Sequence, residues 1–240
     1  MSGFLPKLKP FYYLDHFEEM LSFIDRSCLS LLGPGETEFM RAFGRLPRDA
    51  RALMVRMANR CGCYARISGL RYEELADIPA ALGALLETGL IGRATEADRE
   101  GIVGMLTRAK LATLLKPTKG LSAKKKPELK ELILQTGHPV NLPNELLDDF
   151  VVQVCAETVG FLFFLYFGKE RRNLQALALR DLGLVKTRTG QTSFEVRFTT
   201  REAAVHAFFH ARISAEIVFA DSAGLTKLAE TAPDWPKCSE

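Results

Sequence analysis

Three consecutive lysines, Lys124, Lys125 and Lys126, open the stretch KKKPELKELIL at residues 124–134, and Lys130 stands one helical turn beyond them. Ammonium groups at this spacing make and break no bonds; they attract polyanions, phosphate above all, as point charges. Pro127 suits the first turn of a helix, where unpaired N–H groups and the positive end of the helix dipole add to the pull on an anion. Arg108, Lys110 and Lys119 extend the charge upstream, so residues 106–130 hold eight basic side chains against one acid, Glu128. The whole 240-residue chain has a formal net charge of only +3, so the remainder is net acidic and the positive field is local. If about five phosphates were neutralised there, log affinity would fall against log salt with a slope of about −4.5. The bland alternative is a solvated charged face, the usual fate of a charge run.

Short helices are expected to position these cations. Thr107 is placed to cap a first helix whose Leu111, Leu114 and Leu115 share a face before Pro117 ends it; Gly120 and Leu121 turn the chain; Leu129, Leu132 and Ile133 face inward from a second helix. Upstream, Leu14, Phe17, Met20, Leu21 and Ile24 recur at helical spacing, and GPGETE separates that helix from the next. Residues 47–60 put Ala50, Leu53, Met54 and Met57 on one face and Arg48, Arg51, Arg56 and Arg60 largely on the other. YARI after Gly62 is short and β-forming, a leucine-rich helix with Leu82, Leu85 and Leu86 follows, Gly89 is placed to cap it, and GLI comes next. Helix, strand, helix and strand in this order imply a winged-helix-like module, which either contacts DNA or holds proteins together. Arg56 and Arg60 are its candidate DNA contacts.

Hydrophobic residues at 47% and charged residues at 25% describe an ordinary globular protein rather than a disordered one. Five cysteines form an odd set without a framework, and the first residues lack the apolar core of a secretory signal, which points to reduced thiols and a cytoplasmic setting. Cys61 and Cys63 lack a second ligand pair, and His206 and His210, four residues apart, lack a third ligand, so no metal is expected in this chain. The longest apolar run, residues 150–167, is interrupted by Gln153 and Glu157 and is expected as a buried helix rather than a membrane span, its phenylalanines forming core. Lys169, Arg171 and Arg172 make a smaller basic spot, and SFEVRF, residues 193–198, is the clearest strand signal. The expected fold is mainly α. It divides into a helical and winged-helix-like region over 1–100, the helix pair with its basic turn over 101–143, and a helical connector with a short β element over 144–240.

The stretch LTRAKLATLLKPTKGLSAKKKPELKELIL resembles a SAP motif, the two-helix DNA-binding element with a Gly-Leu turn and a basic cluster, although it lacks the usual glycine between turn and lysines. With FYYLDHFEEMLSFI, LPRDARALMVRMANR, LRYEEL, ALGALLETGLI and FLYFGKERRNLQALALRDLGLV in the same order, residues 11–215 are similar to the N-terminal half of the bacterial Fanconi-associated nucleases. The resemblance implies a DNA-binding region of an endonuclease that cuts flap or branched DNA and takes part in interstrand crosslink repair in a nucleoid-associated setting. Catalysis in that family belongs to a VRR-type nuclease domain that uses Mg or Mn, and no matching carboxylate–lysine set stands in these 240 residues. The implied partner is branched or flap DNA. The alternatives are a helical interaction scaffold whose basic patch meets an acidic protein, and a winged-helix regulator that reads sequence rather than shape.

Overall fold

The computed structural model describes residues 8–60, 62–116, 120–135, 141–169, 174, 177, 197–220 and 222–236. Helix α1 (Tyr12–Ser27) buries Leu14, Phe17, Met20, Leu21 and Ile24 on the one face their spacing defines. Helix α2 (Pro34–Arg45) starts where Pro34 sets the backbone and where the Gly33 N–H donates to Glu36 at 2.6 Å. Helix α3 (Arg48–Ala58) runs through the middle, burying Ala50, Ala52, Leu53, Met54, Val55 and Met57, so it is apolar around more of its circumference than the four-residue face implied. The helix–strand–helix–strand order continues with β1 (Tyr64–Arg66), α4 (Ile78–Glu87) and β2 (Ile91–Arg93). Asp77 caps α4 by accepting from the Ala80 N–H at 2.9 Å.

The chain then leaves the sheet and builds a separate small body: α5 (Arg99–Met105), α6 (Arg108–Leu114), α7 (Lys126–Leu134) and the single turn α8 (Asn144–Leu147). It returns as β3 (Phe150–Gln153), which inserts between the first two strands and pairs antiparallel with both, giving the order β1-β3-β2. Because side chains alternate along a strand, the sheet divides two cores. Ala65, Ile91 and Val151 face the large core of α1 to α4, whereas Phe150 belongs to a second core with Ile102, Val103, Leu111, Leu129 and Ile133. Packing therefore groups the chain differently from the order of its segments, since Ala94 joins the second core and β3 completes the sheet of the first.

The inserted body is held at both junctions. Tyr64 on β1 donates its hydroxyl to Asp98 at 3.2 Å, and its ring lies where a Cβ on Gly101 would overlap it, so α5 docks this closely because residue 101 is glycine. At the return, the Asp149 carboxylate accepts from Arg66 Nε at 2.6 Å and from the Ser68 N–H and Oγ, each at 2.8 Å. The Asp149 carbonyl also accepts from the Ile67 N–H at 2.7 Å.

The apolar run 150–167 is thus not one helix. Residues 150–153 are strand β3, Val154 and Cys155 turn, and α9 (Ala156–Phe167) starts afterwards. Fully buried strands and buried helices give the same continuous apolar run, and here Val151 and Val152 with the polar Gln153 favour the extended form. Phe161, Phe163 and Phe164 are core, with Phe163 set 6.0 Å from Phe17 in an edge-to-face pair. Helix α10 (Arg201–Phe219) begins at the Thr200 cap and packs on α9; α11 (Ser222–Thr231) follows. Arg201 ties α10 to the first module through the Leu31 carbonyl at 2.7 Å and Glu36 at 2.8 Å. Residues 193–196 of the expected strand lie outside the described residues, while Phe198 stacks on Phe164 at 5.7 Å.

Phe150→Ala is expected to cost about 3–5 kcal/mol and to expose residues 94–149 to limited proteolysis while the large core stays resistant, as denaturant melts and peptide mapping will read. Glu36, Glu74 and Asp149 lie below their ordinary carboxylate range: burial pushes each up, but hydrogen bonds from Arg201, Arg56 and Arg66 respectively outweigh it. Folded pKa values below the unfolded ones add stability above pH of about 4 that disappears as the pH falls through the folded values. Acid melts should show that loss, and Glu36→Gln should flatten part of it.

Candidate nucleic-acid interface

The basic turn is assembled from inside the inserted body. Gly120 has φ +80°, a left-handed conformation that suits glycine, and it sends Leu121 into the second core to begin a short turn over Leu121–Ala123. Arg108 fixes this turn from the start of α6. Its guanidinium donates to the carbonyls of Lys124 at 3.0 Å, Leu121 at 3.2 Å and Ser122 at 2.6 Å. Arg108, expected as a phosphate contact, thus also gives Nε and Nη2 to three backbone oxygens, while no bond from its Nη1 is made to the described residues. Thr107 caps α6 as anticipated, with its Oγ1 accepting from the Lys110 N–H at 3.3 Å.

At the start of α7 the Glu128 carboxylate already takes one N–H, that of Lys125, at 2.7 Å. That internal acid sits 4.0 Å from the Lys124 ammonium. Lys126 reaches across to the last turn of α5, donating to the Gly104 carbonyl at 3.1 Å, and the Lys130 ammonium lies 3.8 Å from the position a Gly104 Cβ would take. Two ammonium groups at the negative end of α5 are favourably placed against its dipole. Lys125 is exposed, and its ammonium, unlike its backbone N–H, meets no partner among the described residues. The cluster is thus one part scaffold and one part open charge.

Lys110 is exposed on the other side of α6, where it lines a cleft of about 380 Å³ with Thr107, Thr113, Leu146, Phe150 and Arg66. Arg66 is a cation that the linear reading passed over. The signal was present in the strand alternation, since Tyr64 and Arg66 share a face two residues apart. Lys119 lies outside the described residues, as do Arg171 and Arg172 of the smaller basic spot.

Arg56 and Arg60 are placed elsewhere, on the back of α3. Arg56 is half-buried, 4.0 Å over the Tyr13 ring and 5.2 Å from that of Tyr72, and donates to Glu74 Oε1 at 3.0 Å. The same Glu74 oxygen accepts from the Tyr13 hydroxyl at 2.9 Å, and burial with that carboxylate pushes the Tyr13 phenol well above its ordinary value. Arg60 donates to the Tyr72 hydroxyl at 2.8 Å. The helix pair and the arginine back of α3 are therefore separate patches, and in the second Arg56 is tied up in an aromatic and acidic cluster while Arg60 gives one hydrogen bond to Tyr72.

Among the described residues no group of three or more His, Cys, Asp or Glu converges, and His210 is occupied with the Pro236 carbonyl at 2.6 Å. Glu128, the acid within the lysine cluster, is committed to its helix start. A divalent metal of the kind that assists phosphodiester cleavage finds no fitting donor set among these residues. No described helix is long and apolar enough to cross a membrane.

Residues 11–92 match the family model described as FAN1, HTH domain. The Fanconi-associated nuclease 1 homolog of Pseudomonas aeruginosa is 29% identical over 206 residues, which is 84% of this chain and 37% of that protein. The homolog of Arabidopsis thaliana is 26% identical over 191 residues, covering 72% of this chain and 21% of that one. The crystal structure of paFAN1 bound to 2nt 5′ flap DNA with gap aligns at a TM-score of 0.75 and 27% identity over 92% of this chain and 42% of the other. The complex with 1nt 5′ flap DNA aligns at 0.78 and 25% identity over 89% and 40%. This chain accordingly spans well under half the length of the relatives it matches. In sequence and in fold this chain is thus similar to Fanconi-associated nuclease 1 homologs over the part of them that it spans.

Proposed function

We propose that this chain holds branched or 5′-flap DNA by its phosphates, as the DNA-handling region of a structure-selective endonuclease that serves interstrand crosslink repair at the bacterial nucleoid. The supporting observation is the pinned basic turn of the inserted body, in a chain that aligns with a protein solved on 5′ flap DNA. In this role α6 and α7 act as the SAP-like pair, carried in the connection between β2 and β3 where a winged-helix module has its wing. Lys125 and Lys110 offer open charges, Lys124 and Lys130 join them, Arg108 positions the turn, and Lys126 anchors it to α5. Lysine on phosphate carries no base information, so selectivity comes from the outline of a bent or branched duplex. Strand scission with Mg²⁺ or Mn²⁺ is assigned to sequence outside these residues. The regulator alternative would need Arg56 facing a groove, whereas it stacks on Tyr13.

Fluorescence anisotropy with flap, nicked and plain duplex DNA over a range of salt tests this role. Replacing Lys124, Lys125 and Lys130 with alanine is expected to weaken binding to every sequence and to flatten the log–log salt slope by about 2.7. Unchanged affinity, or discrimination between sequences instead of shapes, would count against it. Arg108→Lys keeps the charge but loses the fork, so it should lower affinity roughly fivefold to tenfold, as much as Arg108→Ala. Near-complete rescue by lysine would make Arg108 a direct phosphate contact.

A further inference from the structure

A second cavity, of about 360 Å³, opens where α3, the β1–β3 end, α9 and α10 meet, on the opposite side of the sheet from the inserted body's core. Its volume falls within the range of about 300–1,000 Å³ common to small-molecule sites. The floor is apolar, with Phe163 and Phe208, both more than nine-tenths buried. One polar side chain belongs to this floor: Gln153 is only 5% exposed. Its amide nitrogen donates to the Met57 carbonyl at 3.1 Å and the Gly62 carbonyl at 3.5 Å, which fixes which end of the amide is which. Gln153 lines the cavity, and no hydrogen bond to its carbonyl oxygen comes from the described residues, so that oxygen is left as an acceptor. At the rim stand Arg60, with donors beyond the one given to Tyr72, and an exposed ion pair of Arg212 and Glu157 at 2.8 Å.

An apolar slot with one fixed acceptor inside and guanidinium groups at its mouth suits a planar, donor-bearing ring attached to an anion. Every nucleobase offers at least one N–H on its pairing edge, and that edge is free only when the nucleotide is unpaired. The location fits as well. Cys63 lines this cavity and Arg66 lines the cleft shared with Lys110, so residues three apart in the chain, about 10 Å along it, border the two sites from opposite faces of the sheet. We infer that this cavity receives the base of a single unpaired nucleotide at a DNA branch or bulge, with Gln153 accepting from the base edge and Arg60 and Arg212 meeting its phosphate. The inference rests on the DNA-binding reading above and adds to it a source of selectivity that phosphate contacts lack.

The test uses the full chain and duplexes carrying 2-aminopurine as a single-nucleotide bulge. Binding is expected to raise the fluorescence several-fold as the base leaves the stack, with no rise when 2-aminopurine is paired. Ala156→Phe, at the half-exposed start of α9, narrows the cavity; it should abolish the rise and weaken bulged DNA about tenfold while changing plain duplex binding by less than about twofold. Ala156→Ser, which leaves the space open, should behave as the unaltered protein. An unchanged signal at saturation, or equal loss on both DNAs by a folded Ala156→Phe variant, overturns the inference. Should the chain bind no DNA at all, the broader reading fails, and titration with dCMP followed by the Gln153 side-chain amide resonances still decides the cavity: a saturable shift supports it and no shift refutes it.

Discussion

Strand β3 is the piece on which the architecture depends. In four residues it places Phe150 in the small core and Val151 in the large one, and hydrogen-bonds to β1 on one side and β2 on the other. A shift of one residue in its register would turn Phe150 toward the wrong core and leave Val151 facing the inserted body, so the apolar pattern enforces a single pairing. Short strands of three or four residues are weak by themselves, and here burial on both faces holds them. The inserted body is thereby docked as a unit, with Tyr64 against α5 at its departure and Asp149 on Arg66 and Ser68 at its return.

That docking turns a list of basic residues into a directed field. Arg108 gives its donors to three carbonyls and Lys126 gives its ammonium to Gly104, so these two cations shape the surface they also charge. Glu128 satisfies the start of α7 and tempers Lys124, leaving Lys125 and Lys110 as the most available charges. An exposed ammonium in high dielectric contributes little to folding and much to long-range attraction, which agrees with the proposed DNA-holding role. On α3 the opposite economy holds. Arg56 is stacked, half-buried and paired, and its removal would leave the Glu74 carboxylate and the Tyr13 hydroxyl with one partner fewer in a partly dry site.

Much of this was legible in the linear order of residues. Helical spacing identified the buried face of α1 and the helix pair around Gly120 and Leu121; Thr107 and Gly89 marked helix ends because capping and left-handed turns depend on local chemistry alone. The density of lysine over 106–130 was equally plain, since charge is a property of composition. The split of residues 150–167 into strand and helix was hidden, because a run of apolar residues looks alike in either form until a partner strand claims it. The insertion of an entire body between β2 and β3 was hidden for the same reason: strands of three residues carry too little pattern to announce a pairing across more than fifty intervening positions.

By itself, then, the sequence determined where helices with a local cap or turn begin or end, which faces are apolar and where positive charge accumulates, all of which follow from near neighbours and side-chain type. Only the tertiary structure decided the role of each cation, because a guanidinium or ammonium group becomes clamp, anchor or open contact according to which distant carbonyl or carboxylate lies within about 3 Å of it. Arg108, Lys126 and Arg56 have such partners, and Lys125 has none among the described residues.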